Sequence, residues 1–211
     1  MTSTRPLDID GRSLALSDVH AVAVARRPVA VAAAARTRML ATRSVVVDVV
    51  DRHAVVYGVT TGFGKLSDIA IPHDKLAQLQ VNLVRSHAAG VGPELPEREV
   101  RAMMLLRANV IAKGFSGARP ELPELICAML NAGLWPVVRE QGSVGASGDL
   151  APLAAIALTL IGEEELNTPD GHRLPAADAL LASGLRPLIL GPKEGITLIN
   201  VVPKQRYSRF V

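Results

Sequence analysis

A single cysteine, Cys127, stands in 211 residues, so no disulfide can close within the chain and a reducing compartment fits. Aromatic side chains are nearly as scarce, at 3%. The core must therefore be built from Ala, Val, Leu and Ile, and richness in Ala and Leu favours packed helices over a β-sandwich. The same scarcity leaves few rings to stack on bases. A net charge of +3 spread over separated arginines also lacks the concentrated basic face of a nucleic-acid binder, so no nucleic-acid partner is expected. Long apolar runs are missing. The longest, Leu150 to Ile161, is interrupted by Pro152 and is too short to cross a bilayer. Met1 to Leu14 is polar, without the apolar segment of a signal peptide, so a cytoplasmic protein with no membrane partner is expected. No His, Cys, Asp or Glu cluster has metal-ligand spacing, and no metal is expected. Internal repeats and low-complexity linkers are also absent.

Hydrophobic residues make up 49% of the chain and charged residues 20%, enough to bury a sizeable core. The pattern predicts mainly helices. Ser17 reads as the N-cap of a helix through Val24, and a second helix is expected from Val29 to Asp51. Val55-Val56-Tyr57 reads as a short strand, followed by a loop made flexible by Gly58, Gly62 and Gly64. A helix from Asp74 should carry Leu76, Leu79, Leu83 and Val84 on one face and end near Ala89, capped by Gly90. Pro96, Glu97 and Glu99 open another, ending near Lys113-Gly114. Shorter helices are expected over Pro123–Asn131 and Ala176–Ser183. A helix capped by Asp149 should run through Ile161. Asp170-Gly171 reads as a turn, and a further strand is expected near Val137. Glu163-Glu164-Glu165 reads as a solvated helix end, and Cys127 and Trp135 as core residues.

The stretch Gly142-Ser143-Val144-Gly145-Ala146-Ser147-Gly148-Asp149-Leu150 carries the chemistry. Its plain reading is a glycine-rich turn before a capped helix. A sharper one starts from its small residues. In a tight bend, the amide nitrogen of Gly148 can reach the carbonyl carbon of Ala146, because neither residue has bulk to block the approach. Ring closure with loss of water gives an imidazolinone, and a second water lost from Ser147 leaves an exocyclic methylene. The product is an electrophile built without an external cofactor.

Residues 142–153, Gly-Ser-Val-Gly-Ala-Ser-Gly-Asp-Leu-Ala-Pro-Leu, resemble the signature of the aromatic amino acid ammonia-lyases and related aminomutases, which carry a methylidene-imidazolone (MIO) group. Tyr57-Gly58-Val59-Thr60-Thr61-Gly62-Phe63-Gly64 resembles that family's inner active-site loop. Arg85-Ser86-His87-Ala88-Ala89-Gly90 resembles its substrate-side helix. Gly114-Phe115-Ser116-Gly117 and Lys193-Glu194-Gly195 to Asn200 match in the same order. The resemblance implies a helical bundle of the ammonia-lyase type, with a few short strands in the N-terminal region. It implies MIO formation from Ala146, Ser147 and Gly148, with no external cofactor, and makes Tyr57 the base that takes the β-proton. Ser86 and His87 become substrate-binding residues, and their polar pair fits the histidine type, because an apolar pair would leave an imidazole unsatisfied. Asn200 would lie beside the electrophile. The implied reaction eliminates ammonia from L-histidine to give trans-urocanate. A phenylalanine or tyrosine lyase, or an aminomutase, is the alternative within the family.

Residues 1–200 then form the N-terminal part of the fold and 201–211 a divergent tail. Val201 to Arg206 departs from the Gly-Thr with which the family continues, and the family's members run far longer. The resemblance thus implies a chain truncated relative to the family, with little activity by itself, and a homotetramer for the full-length enzyme. A non-catalytic helical scaffold stays open as a reading of another class. A phosphate loop does not fit: Gly58 and Gly64 are separated by five residues rather than four, and Leu66 follows Lys65 where a hydroxyl is needed.

Overall fold

The computed structural model describes residues 5–62, 67, 69–142 and 150–200. Strand β1 (Leu7–Ile9) leads through helix α1 (Leu16–Ala23) to β2 (Val29–Val31) and the long helix α2 (Ala33–Asp51). A 3₁₀ turn at His73–Lys75 opens α3 (Leu76–His87). Then come β3 (Val91–Glu94), α4 (Glu97–Ala112), α5 (Glu121–Asn131), β4 (Trp135–Pro136) and β5 (Arg139–Gln141). The described part ends with α6 (Leu150–Leu160), β6 (Glu165–Asn167), β7 (Arg173–Pro175), α7 (Ala176–Ala182) and α8 (Glu194–Ile199). The fold is mainly α. Its short strands, which form one parallel pair, one antiparallel pair and a three-stranded sheet, keep it from being purely all-α.

Helix α4 is the hub. From Val100 onward it is buried on most sides, through Val100, Met103, Met104, Ala108 and Ile111, and it packs against α1 and α5. One cation interrupts that apolar surface near its start. Arg101 is 1% exposed, and its guanidinium donates to the carbonyls of Val22 (2.9 Å), Ala23 (3.3 Å) and Leu130 (3.2 Å). These carbonyls lie at the C-terminal ends of α1 and α5, where no intrahelical partner remains. A second layer, α3 with α6 and α8, shares the main core with the first.

Several expectations need correction. The valine-rich run from Val29 is not one helix, because Val29–Val31 pairs in parallel with Leu7–Ile9. Asn131 extends that pairing, accepting the Val29 N–H and donating to the Val29 carbonyl, both at 2.9 Å. Ser17 is not a cap. Helix α1 starts one residue earlier, and the Asp18 carboxylate accepts the Ala15 N–H at 3.2 Å instead. Val55-Val56-Tyr57 is not a strand, for a reason given below. Helix α3 ends at His87 with Ala88 as its C-cap, and Gly90 serves close packing, since a Cβ there would meet Arg139 Cβ at 3.1 Å. Its buried face runs through Leu76, Gln80, Leu83 and Val84, and Leu79 is only half-buried. The acidic run is not merely solvated: Glu163 takes two hydrogen bonds from Arg85 (2.5 and 2.9 Å), and Glu165 is in β6.

Other expectations hold. Helix α4 begins after Pro96 and stops at Gly114, whose φ of +80° leaves the helical region. Asp170 and Gly171 turn the antiparallel hairpin β6–β7. Cys127 is buried, and burial pushes its thiol up to about 12, out of reach of thiolate chemistry at neutral pH. Among the described residues, no helix is long and apolar enough to cross a membrane.

The staple at Arg101 is testable. Arg101→Met keeps the apolar stem but takes the guanidinium donor from the carbonyls of Val22 and Ala23 and one donor from that of Leu130, which should lower stability by about 2–4 kcal/mol in urea unfolding with an unchanged slope.

Candidate active site

Two threonines organise the segment that carries Tyr57. The Thr60 hydroxyl donates to the Ala54 carbonyl at 2.6 Å and accepts the Val56 N–H at 2.9 Å. Thr61 Oγ1 accepts the Gly58 N–H at 3.3 Å and donates to the Gly62 carbonyl at 3.0 Å. These side-chain bonds use the backbone groups that a strand would need, which is why Val55 to Tyr57 does not become one. Gly58 sits at φ +72°, where a side chain would be strained, and the Gly62 N–H closes the segment on the Ile69 carbonyl at 3.2 Å. Thr61 is 1% exposed and Tyr57 61%, so the loop turns its hydroxyls inward and its phenol outward.

Helix α8 has six residues, too few to persist without external support. Its support is buried at both ends. Glu194, fully buried, accepts hydrogen bonds from Arg119 Nε (2.8 Å) and Nη2 (2.7 Å) and from the backbone N–H groups of Arg119 (3.0 Å) and Gly191 (2.7 Å). Arg43 Nη1 lies 3.8 Å away. Burial is the largest single influence on this carboxyl and would raise it. The Arg119 guanidinium, together with the N–H groups of Gly191 and Arg119, outweighs burial and holds Glu194 below the ordinary carboxylate range. The Gly195 N–H donates to Gln80 Oε1 at 3.0 Å, which ties α8 to α3, and a Cβ on Gly195 would stand 2.8 Å from the Gln80 carbonyl oxygen. At the far end, Arg107 donates to the carbonyls of Leu198 (2.8 Å) and Asn200.

These supports bring Asn200 to the rim of a cavity of about 630 Å³ that Tyr57 and Gly58 also line, together with Arg107, Lys113, Phe115, Ser116, Lys193 and Thr197. Three of the residues singled out in the sequence, Tyr57, Gly58 and Asn200, thus share one cavity although Asn200 lies on a different element. Ser86 and His87 do not line it. They sit at the end of α3, where both side chains turn back on the Leu83 carbonyl, Ser86 Oγ at 2.8 Å and His87 Nδ1 at 2.8 Å. A carbonyl only accepts, so in the Leu83 contact it is the ring that donates. Ala146, Ser147, Gly148 and Gly64 lie outside the described residues.

Sequence reasoning missed Arg107, Lys113, Lys193 and the paired threonines. Arg107 had a signal: a cation on the face that runs through Met103, Met104, Ala108 and Ile111 breaks the apolar stripe and has to be partnered inside. The threonines lie in the matched loop segment but left no periodic trace, so they were given no role.

The aromatic amino acid lyase profile matches residues 14–203. The chain belongs to the aromatic amino acid lyase family. It is 51% identical over 198 residues to histidine ammonia-lyase of Anaeromyxobacter dehalogenans (strain 2CP-C), covering 91% of this chain and 39% of that protein. Among solved structures it is similar to the ergothioneine-degrading enzyme ergothionase from Treponema denticola, with a TM-score of 0.88 and 34% identity over 93% of this chain and 39% of the other. It is also similar to tyrosine aminomutase from Streptomyces globisporus, with a TM-score of 0.84 and 39% identity over 92% of this chain and 36% of that one. The chain therefore spans about two fifths of the length of these lyase-family relatives.

The anchoring of α8 sets a pH dependence. A carboxyl lowered in the folded state contributes its full stability above its unfolded pKa and loses that contribution as pH falls through the folded value. Glu194→Gln should cost about 2–4 kcal/mol at neutral pH and flatten the decline of stability on the acid side of the ordinary carboxylate range, as read by urea midpoints across pH. Gly195→Ala, forced against the Gln80 backbone, should cost about 1–3 kcal/mol in the same assay.

Proposed function

We propose that this chain is part of a lyase that eliminates ammonia from L-histidine to give trans-urocanate. The observation that carries the reading is the meeting of Tyr57 and Asn200 on one cavity bordered by cations. Arg107, Lys113 and Lys193 border the same cavity. Tyr57 takes the β-proton of the amino acid, which is too weakly acidic to leave without a positioned base. His87, with Nδ1 tied to Leu83, presents Nε2 as an acceptor for the N–H of an imidazole side chain, and Ser86 keeps that ring in place. Asn200 hydrogen-bonds at the reacting centre.

The prosthetic group of this reading is MIO, formed from Ala146, Ser147 and Gly148 with no external cofactor. The framework around the segment suits it. Gln141, at the end of β5, pairs with Val91 in the strand that follows α3, and downstream of the segment α6 packs on α3 and α8, which carry His87 and lead to Asn200. The group supplies an electrophile that turns the amino nitrogen into a leaving group. Support for histidine comes from the Ser86-His87 pair and from the similarity to a histidine ammonia-lyase. The likeness to tyrosine aminomutase supports one second reading, in which ammonia returns to the neighbouring carbon.

Residues 1–200 form the N-terminal part of this lyase and 201–211 a divergent tail. The enzyme is assigned to the cytoplasm and to a homotetramer. The tetramer is supported by α2, which leaves Leu40, Val45 and Val47 exposed beside its buried face. A chain spanning 39% of a relative is expected to turn over little or no histidine by itself.

Intact-mass analysis tests the central step. The reading predicts a chain lighter by two water molecules, with Ser147→Ala losing at most one. Full mass in a folded sample would remove the electrophile, and with it the lyase. Mixing with L-histidine and following urocanate absorbance tests the rest: robust turnover by this chain would refute the claim that it is inactive alone, and β-histidine instead of urocanate would favour the aminomutase.

A further inference from the structure

Arg107 projects from the buried hub helix α4 to the point where α8 ends. It is 5% exposed, and its guanidinium divides between two carbonyls, Nε on Leu198 and Nη2 on Asn200. Both carbonyls lie at the C-terminal end of α8, where helix geometry provides no internal partner. The last helical bond there is the Asn200 N–H to the Ile196 carbonyl at 2.9 Å, and at Asn200 the backbone turns extended, with φ −73° and ψ 132°. The direction in which the chain leaves α8, and so the place of the Asn200 side chain on the cavity rim, is therefore fixed by a cation held in the core of another helix. The other end of α8 is held separately by Glu194 and Gln80.

We propose that Arg107 is a positioning residue for Asn200: it acts through the main chain, locking the carbonyl of Asn200 so that its amide stays on the Tyr57 cavity. This rests on the reading of Asn200 as an active-site residue. A planar fork suits the task because two of its N–H groups diverge toward carbonyls two residues apart, whereas an ammonium is a single compact donor centre. The guanidinium also lies at the negative end of α8, where a cation is favoured.

The test is backbone ¹⁵N relaxation on the chain, comparing Asn200 with Gly195 and Thr197 of the same helix. In the unaltered chain, Asn200 should have an order parameter near that of rigid backbone, about 0.85. Arg107→Met should drop Asn200 below about 0.6 while Gly195 and Thr197 keep their values. Arg107→Lys, which retains charge and fold, should give Asn200 an intermediate value. The proposal is overturned if Arg107→Met leaves Asn200 rigid, or if all three residues loosen together, which marks ordinary core support. Should the Met variant not fold, the Lys variant decides, and unchanged order at Asn200 counts against the clamp. Mass analysis of Ser147 on the same unaltered sample keeps the two ideas apart. A missing dehydration sinks the lyase reading without touching the clamp, and a rigid Asn200 in the variants sinks the clamp without touching the lyase.

Discussion

The hold on a six-residue helix governs this molecule. Helix α8 could not form by its own propensity, yet it carries the residue that meets Tyr57 across the cavity. The Glu194 carboxylate makes it possible. Buried without exposure, it is satisfied by the Arg119 side chain and two backbone N–H groups, so the cost of removing a charge from water is met by directed partners. Gly195 then lets α8 approach α3 more closely than any side chain would allow, and Arg107 closes the far end. Helices α3 and α8 are thereby fixed relative to each other before any ligand arrives.

Arginines that donate to backbone carbonyls recur. Arg101 joins the ends of α1 and α5, Arg107 closes α8, and Arg43 reaches the carbonyls of Gly117 (3.2 Å) and Pro192 (2.9 Å) beside Glu194. With few aromatic side chains to fill space, the core is small-residue and aliphatic, and long arginines fix the helix ends that such packing leaves open. Polar groups placed this way specify one arrangement of helices where alanine and leucine alone would tolerate several.

What could be read from the sequence follows from locality. Helix α4 was legible because its start and stop are written in neighbouring residues, Pro96, Glu97 and Glu99 at one end and Gly114 at the other. The β6–β7 hairpin was legible from Asp170-Gly171 for the same reason. The β1–β2 pair was not: three-residue parallel strands gain their partners only once α1 has folded between them, so Val29–Val31 read as helix. Val55-Val56 looked extended because β-branched residues usually are, and the Thr60 and Thr61 bonds that override this preference are set by the fold of the loop. Of the residues lining the cavity, Tyr57 and Asn200 were named through family resemblance, and Arg107 showed only as a cation in an apolar stripe, without its target. The carbonyls that Arg107 reaches belong to another helix, which a local pattern does not name.

The claim that the buried Glu194–Arg119 pair holds α8 is tested most directly by a double-mutant cycle. Glu194→Gln, Arg119→Met and the double variant would be compared by urea unfolding at neutral pH. A coupling energy of about 2 kcal/mol or more, with the double variant less damaged than the sum of the singles, is the predicted result. Additive losses, agreeing within about 0.5 kcal/mol, would mean that the two side chains act independently and that α8 is held by something else.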